Sequence, residues 1–232
     1  MSRHTPQLAL SLPPARTWGG RRAGAGRKPG LNSGLPHVAR KRFGKPLPAH
    51  VTLRLRSDVP SLREVPIVRE IERTFAVGCT RPGFRLVHYS LQGNHAHLIV
   101  EAQDRHALAR GMKAIGARLA RAVNRIADRT GPVLADRYHL HLLPTPKEVR
   151  TALRYVLLNA RRHTGMVRTK LGCAVRLDPA SSARWFDGWR RDRPTADDRA
   201  ADERPSVARA RTWLLAVGWR RHGLLDPADV PG

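Results

Sequence analysis

Acidic residues are scarce in this chain: its 232 residues include 18 Asp and Glu against 43 Lys and Arg, a formal net charge of +25, and no Asp or Glu precedes Asp58. So lopsided a balance excludes an ordinary enzyme of small neutral metabolites and selects a polyanion as partner. Cysteine is nearly absent, with only Cys79 and Cys173. With no CxxC and no Cys/His cluster, neither a disulfide framework nor a structural zinc site is encoded, and a reducing cytoplasm fits. No apolar run approaches the ~18 residues of a membrane span, and no basic amphipathic helix carries bulky aromatic anchors. A membrane is therefore not the expected partner. The opening MSRHTPQLALSLPPARTW has a short apolar patch, but prolines interrupt it and no secretory cleavage pattern follows. It reads as an unstructured lead-in. Tyrosine is also rare, with three in the chain. That leaves few phenols for any tyrosine chemistry.

What the chain has in quantity is arginine. Its planar fork of donors fits phosphate oxygens, which favours nucleic acid, although a GC-rich genome also enriches arginine. Residues 1–48 concentrate Gly, Pro and Arg, as in GGRRAGAGRKPG and RKRFGKP. Such a segment buries too little apolar area to fold alone, while glycine lets residues such as Arg27 and Lys28 follow a phosphate backbone. A basic tail of only general affinity is an equal reading.

From residue 49 the pattern is that of ordered elements. HVTLRL, His50 to Leu55, alternates as a strand and is followed by the turn signal SDVPS. Ile67, Val68, Ile71 and Phe75 share one face of a helix over 65–77, with Gly78 just past its end. FRLVHYSL and HAHLIVE flank Gln92-Gly93-Asn94 and predict a β-hairpin over 84–102. Leu108, Met112, Ile115, Leu119, Ala122 and Ile126 recur at helical steps, predicting a helix over 105–129. Its other side carries Arg110, Lys113, Arg118, Arg121 and Arg125, a phosphate-tracking face or simply solvated charge. After Thr130-Gly131-Pro132 come a strand within RYHLHLL and a helix over 146–161. The succession predicts an α+β fold, a ferredoxin-like βαββαβ two-layer sandwich with an added C-terminal helix that carries Tyr155. Three regions follow: a tail at 1–48, a domain at 49–165 and an extension at 166–232. The extension's Trp185, Phe186, Trp189, Trp213 and Trp219 are expected to pack onto the domain rather than to stack on bases.

Within the hairpin, His95 and His97 project from one strand face about 7 Å apart and are able to grip one metal ion together. An isolated HxH is more often a pair of strand histidines with no ligand role. Tyr155 and Asn159 lie four apart on a predicted helix and share a face. The phenol offers a nucleophile, and the amide oxygen one turn on offers a third metal ligand. YxxxN alone is common and equally fits a plain amphipathic helix. As a set the residues are coherent, because a phenol with a pKa near about 10 attacks a phosphodiester only if a divalent ion such as Mg²⁺ or Mn²⁺ polarises the phosphate.

The run HYSLQGNHAHLIVEA, then a long helix, then GPVLADRYHLH and ALRYVLLNARRH, resembles the single-tyrosine HUH transposases, in particular the REP-associated tyrosine transposases. The resemblance spans 49–163. It implies that His95, His97 and Asn159 hold the metal and that Tyr155 is the nucleophile. It also implies cleavage and rejoining of single-stranded or hairpin DNA through a 5′-phosphotyrosine with a free 3′-OH. Where many relatives have Pro before the Asn-His pair this chain has Gly93, and where they have Asn-Pro it has Asn159-Ala160. Neither change removes a catalytic group.

Rivals exist inside the sequence. Tyr138 stands beside a second HxH, His139 and His141, so that pair is an alternative ligand set, and Arg137 with Tyr138 otherwise reads as DNA contact or packing. Tyr89 reads as a core residue. Glu101 shares the strand face of His95 and His97, either supporting a metal from behind or lying at a solvated strand end. A DNA-binding protein with this fold that no longer cuts, or an RNA-binding protein, is the alternative function. A monomer and a homodimer are equally compatible, and a cytoplasmic, nucleoid-associated location is expected.

Overall fold

A computed structural model describes residues 43–163, 177–190 and 204–229. The protein is α+β. Strand β1 (Leu47–Arg54) leads to helix α1 (Val65–Gly78), a two-residue strand β2 (Thr80–Arg81), the hairpin β3 (Phe84–Leu91) and β4 (His95–Ala102), helix α2 (Arg105–Ile126), strand β5 (His139–Leu142) and helix α3 (Pro146–His163). The strands form one five-stranded sheet in the order β2-β3-β4-β1-β5, each neighbour antiparallel. The expected βαββαβ succession is present, with β2 as an addition. Helix α2 ends at Ile126, short of the expected 129, and α3 runs to His163, beyond the expected 161.

Local chemistry sets these elements. Asp104 caps α2, its carboxylate accepting from the amides of His106 and Ala107 at 2.7 Å. The Ala107 bond first, and then that of His106, hold this carboxyl below the usual range. Thr145 and Glu148 form a capping box at the start of α3. The Glu148 amide donates to Thr145 Oγ1 (3.3 Å), and the Thr145 amide donates back to Glu148 Oε2 (3.1 Å). Gly111 brings α2 onto the sheet, since a Cβ there would fall 2.1 Å from the Phe84 ring. In β3 the register shifts between Leu86 and His88, opposite Val100 and Ile99. This bulge at Val87 keeps Leu86, Tyr89 and Leu91 on one face despite their odd spacing.

Alternation along the strands divides the apolar residues between two cores. Ala49, Val51 and Leu53 of β1 and Ala96, Leu98 and Val100 of β4 pack with Ile67, Ile71 and Phe75 of α1 and Met112, Ile115 and Leu119 of α2. On the other face, Ile99 and Val87 pack with Val149, Leu153, Val156 and Leu157 of α3 and with residues of the extension: Phe186, Trp189, Leu215, Trp219 and Leu225. Trp219 is 1% exposed. The extension is thus part of a core. Backbone bonds tie it to β3, from the Leu91 amide to Ala180 O (2.8 Å) and from the Ala208 amide to Leu86 O (2.8 Å). Asp178 also accepts both arms of the Arg63 guanidinium, at 2.8 and 3.0 Å. No described helix is long and apolar enough to cross a membrane.

Candidate active site

The α3 side of the sheet carries a row of histidines. Register places Thr52 opposite His97 and His50 opposite Ile99 across the β1–β4 pair. Across the β1–β5 pair, His50 stands opposite His141 and Thr52 opposite His139. Residues directly opposite on antiparallel strands share a face. His95, His97, His50, His139 and His141 therefore all face the layer from which Tyr155 of α3 reaches down.

At the centre, His95 Nε2 and His97 Nε2 lie 3.0 Å apart. The Tyr155 hydroxyl is 3.5 Å from His97 Nε2, with its ring edge-on to that imidazole at 5.0 Å between centroids. His97 is 5% exposed. Neighbours on the far side of each ring set which nitrogen points inward. His95 Nδ1 lies 2.8 Å from Asn94 Oδ1, an acceptor that suits the tautomer with its proton on Nδ1 and its lone pair on Nε2. His97 Nδ1 lies 3.2 Å from both Thr52 Oγ1 and His50 Nε2, which allows the same tautomer. Burial first, and then the charges of His141 and His139, lower the pKa of His50 to about 4, so this imidazole is neutral at pH 7.

Asn159, one turn after Tyr155, is fully buried, and neither atom of its amide has a hydrogen-bond partner among the described residues. An unpartnered buried amide costs about 1–3 kcal/mol and calls for a ligand or a function. Two imidazole nitrogens about 2.1 Å from one ion and at right angles would be ~3.0 Å apart, the separation that His95 and His97 adopt. The donor set fits a hard or borderline divalent cation: two imidazole nitrogens and a buried amide oxygen.

The three tyrosines separate cleanly. Tyr89 is fully buried, its hydroxyl bonded to Glu72 and Ser206, and burial, followed by the Glu72 charge, pushes its phenol pKa up. Tyr138 packs against the α1/α2 core with Leu140 and Leu142 and lines a cleft of about 560 Å³ with Leu53, Met112 and Lys113. It is on the opposite face from Tyr155. The rival histidines, by contrast, end on the same face as His95 and His97, at the β5 edge. Among the expected DNA contacts, Arg110, Lys113, Arg118, Arg121 and Arg125 stand on α2, in the layer away from Tyr155. Arg125 is paired with Glu70 at 2.7 Å, and the Arg118 guanidinium covers Gly78. Arg137 borders the Tyr138 cleft. Arg27 and Lys28, like Cys173, lie outside the described residues.

Two residues here carry roles that sequence reading did not give them. His50 supports His97 from the neighbouring strand. Glu101 does share the face of His95 and His97, but its carboxylate, 4% exposed, accepts from the amides of Arg211 and Thr212 and from Thr212 Oγ1 at 2.6 to 3.1 Å. It anchors the extension and is neither a metal support nor a solvated strand end.

No family model and no curated protein matches the chain. Among solved structures, the chain is similar to a REP-associated tyrosine transposase bound to a REP hairpin, at 15% identity over 56% of this chain and 75% of that one, with a TM-score of 0.43. It is also similar to a candidate transposase from Deinococcus radiodurans R1, at 16% identity over 46% of this chain and 85% of that one, with a TM-score of 0.35. Similarity at that level leaves the chemistry to be argued from the side chains.

Proposed function

We propose that this protein is a single-strand DNA endonuclease and strand transferase that uses Tyr155 as nucleophile and a divalent cation held by His95, His97 and Asn159. The observation that carries this reading is the convergence of His95 Nε2 and the Tyr155 hydroxyl on His97 Nε2, at 3.0 and 3.5 Å. The net charge of +25 supplies the attraction to a polyanion.

When bound, Mg²⁺ or Mn²⁺ polarises the scissile phosphate and offsets the charge that develops on it. The chain's own residues do the rest. Asn94 Oδ1 on one side, and Thr52 with His50 on the other, hold the two imidazoles with their Nε2 lone pairs toward the site. Helix α3, fixed by its capping box and by Val149, Leu153 and Val156 in the core, holds the phenol against His97 without a mobile loop. The Tyr155 oxygen gives its proton to solvent and bonds to phosphorus while the bond from phosphorus to the 3′ oxygen breaks and that oxygen takes up a proton from solvent. A 5′-phosphotyrosine and a free 3′-OH result. One phosphoester replaces another, so a 3′-OH from a second end regenerates a DNA phosphodiester and frees the tyrosine.

The test is a covalent adduct. Protein incubated with a labelled hairpin-bearing oligonucleotide and Mg²⁺ or Mn²⁺ is expected to give a denaturation-resistant protein–DNA band that Tyr155→Phe abolishes. A band that persists in Tyr155→Phe and disappears in Tyr138→Phe would overturn the assignment, and no band with any metal would favour a protein that binds DNA without cutting it.

A further inference from the structure

The second feature that points to a ligand lies at the other end of β4. Glu101 is four residues beyond His97 on the same strand face, about 13 Å away at strand rise. The segment it anchors, 211–214, forms one wall of a cleft of about 630 Å³ whose other walls include Lys45 and Arg85. Phe186, Trp189 and Trp219 of the extension are buried, but Trp213 on the wall of this cleft is 49% exposed. The Arg221 guanidinium sits 4.8 Å from its ring centroid, and the backbone at Gly218 is packed so close that a Cβ there would meet the ring at 2.6 Å. The indole is therefore held in a fixed pose while half its surface stays open.

The surrounding charge is mostly positive. Lys45, Arg85, Arg211 and Arg221 have no ion-pair partner among the described residues. The one carboxylate lining the cleft, Glu101, is consumed by backbone amides. Four unpaired cations around an immobilised, half-exposed indole match the requirements of a single-stranded nucleic acid, which offers phosphates at regular intervals and flat bases between them. An acidic peptide would satisfy the cations but would leave the indole without a stacking partner.

We infer that the Trp213 cleft is a binding site for single-stranded DNA, stacking a base on Trp213 and holding adjacent phosphates on Lys45, Arg85 and Arg211, at a position along β4 that continues the strand bound at Tyr155. The identity of the ligand as DNA rests on the function proposed above. The spacing lies within the few nucleotides that one such domain covers.

The experiment uses full-length Tyr155→Phe protein, which binds without cutting, and a fluorescein-labelled oligothymidine of about twelve nucleotides, which forms no hairpin. Anisotropy gives the affinity and tryptophan emission reports stacking. Trp213→Ala is expected to weaken binding by about 5- to 150-fold, the range for loss of one base–aromatic stack. Trp213→Phe should keep most of the affinity while losing much of the fluorescence quench. Arg85→Ala with Arg211→Ala should weaken binding and flatten its salt dependence. Circular dichroism melts of each variant check that the fold is kept. Affinity within twofold of the parent in Trp213→Ala would overturn the proposal, as would failure of the parent to bind. Equal or tighter Trp213-dependent binding of the oligouridine of the same length would overturn the assignment to DNA. The covalent-adduct assay in the wild type is read separately: an adduct with no Trp213 effect removes only the cleft, and a Trp213 effect with no adduct under any metal removes only the nuclease.

Discussion

His50 and His97 meet across the β1–β4 pair, with His50 Nε2 3.2 Å from His97 Nδ1, and the His50 and Tyr155 rings meet edge-on, 5.7 Å between centroids. His50 thus buttresses both the proposed ligand His97 and the proposed nucleophile Tyr155 without being either. Removing a group that orients a metal-binding imidazole lowers metal affinity by about 10- to 100-fold. His50→Ala is therefore expected to reduce adduct formation at limiting Mn²⁺ and to recover much of it at saturating Mn²⁺. His50→Gln, whose amide occupies roughly the Nε2 position, should need less metal than His50→Ala. A rate that stays low at every metal concentration would mean that His50 acts on Tyr155 instead.

Asn159 gives a stability prediction of unusual sign. Its amide is fully buried with both polar atoms unpartnered among the described residues, so in metal-free protein the group costs desolvation that no described partner offsets. Asn159→Leu, close in volume, is expected to raise metal-free stability by about 1–3 kcal/mol. The same variant should lose most of the melting-temperature rise that Mn²⁺ gives the parent, since ligand-linked stabilisation grows with the ratio of metal to its dissociation constant. Thermal melts with and without Mn²⁺ measure both. A variant that is less stable without metal and stabilised by Mn²⁺ as strongly as the parent would remove Asn159 from the site.

How much of this was readable beforehand follows from how local each feature is. The pairing of His95 with His97 and of Tyr155 with Asn159 depends only on strand and helix periods, and both were legible. Alternation also placed Tyr138 opposite His139 in projection, which is why Tyr138 ends against Met112 and Leu53 while His139 faces the α3 layer. The role of His50 was not legible, because it depends on β1 pairing with β4 in a register that sets Thr52 against His97, a contact between positions 45 residues apart. The same register set the second HxH, His139 and His141, on the face of the first pair. Glu101 was placed on the correct face, but its partners are backbone amides of residues 211 and 212, beyond the reach of any sequence period. Burial of Phe186 and Trp219 was expected from their apolarity; the exposure of Trp213 was not.

His88 sets a pH dependence. It is buried beside Phe186, its Nδ1 3.2 Å from Ser182 Oγ, and burial lowers its pKa to about 3. The unfolded chain takes up a proton near pH 6.5 while the folded one does not, so the unfolded state binds more protons between pH ~6.5 and ~3 and stability falls as pH falls through that window. The slope from this group is at most about 1.4 kcal/mol per pH unit. His88→Asn preserves a polar atom at the Nδ1 position and does not titrate. It is expected to be less stable than the wild type at pH 7, with the gap narrowing by about 2 kcal/mol at pH 5 in denaturant titrations. A constant gap would show that His88 is protonated in the folded protein.

Glu101 predicts how firmly the extension is held. Its carboxylate receives two backbone amides and a hydroxyl while almost fully buried. Bonds to a charged acceptor are each worth about 1.5–3 kcal/mol, and their loss also strands the donors. Glu101→Ala is expected to cost about 2–4 kcal/mol and to raise amide exchange in 204–229 before the β1–β4 ladder is affected. Glu101→Gln should fall between, since its amide keeps one acceptor and turns a donor toward the others. Hydrogen exchange followed by mass spectrometry separates local release from global destabilisation. Uniformly faster exchange would mean that Glu101 stabilises the whole fold rather than this attachment.

The basic face of α2 tests whether charge and chemistry are separable. Arg110, Lys113 and Arg121 are exposed on the layer away from Tyr155, whereas Arg125 is already neutralised by Glu70. If these three cations hold DNA phosphates, replacing them with Ala should weaken binding and reduce the salt slope by about 2, at about 0.7 per contact on a single strand. Because none of them is near the His95–His97–Tyr155 cluster, the rate of adduct formation at saturating DNA should stay within about twofold of the wild type. Arg125→Ala, by contrast, should leave the salt slope unchanged. An unchanged slope in the triple variant would assign the polyanion attraction to other surfaces and leave the α2 arginines as solvated charge.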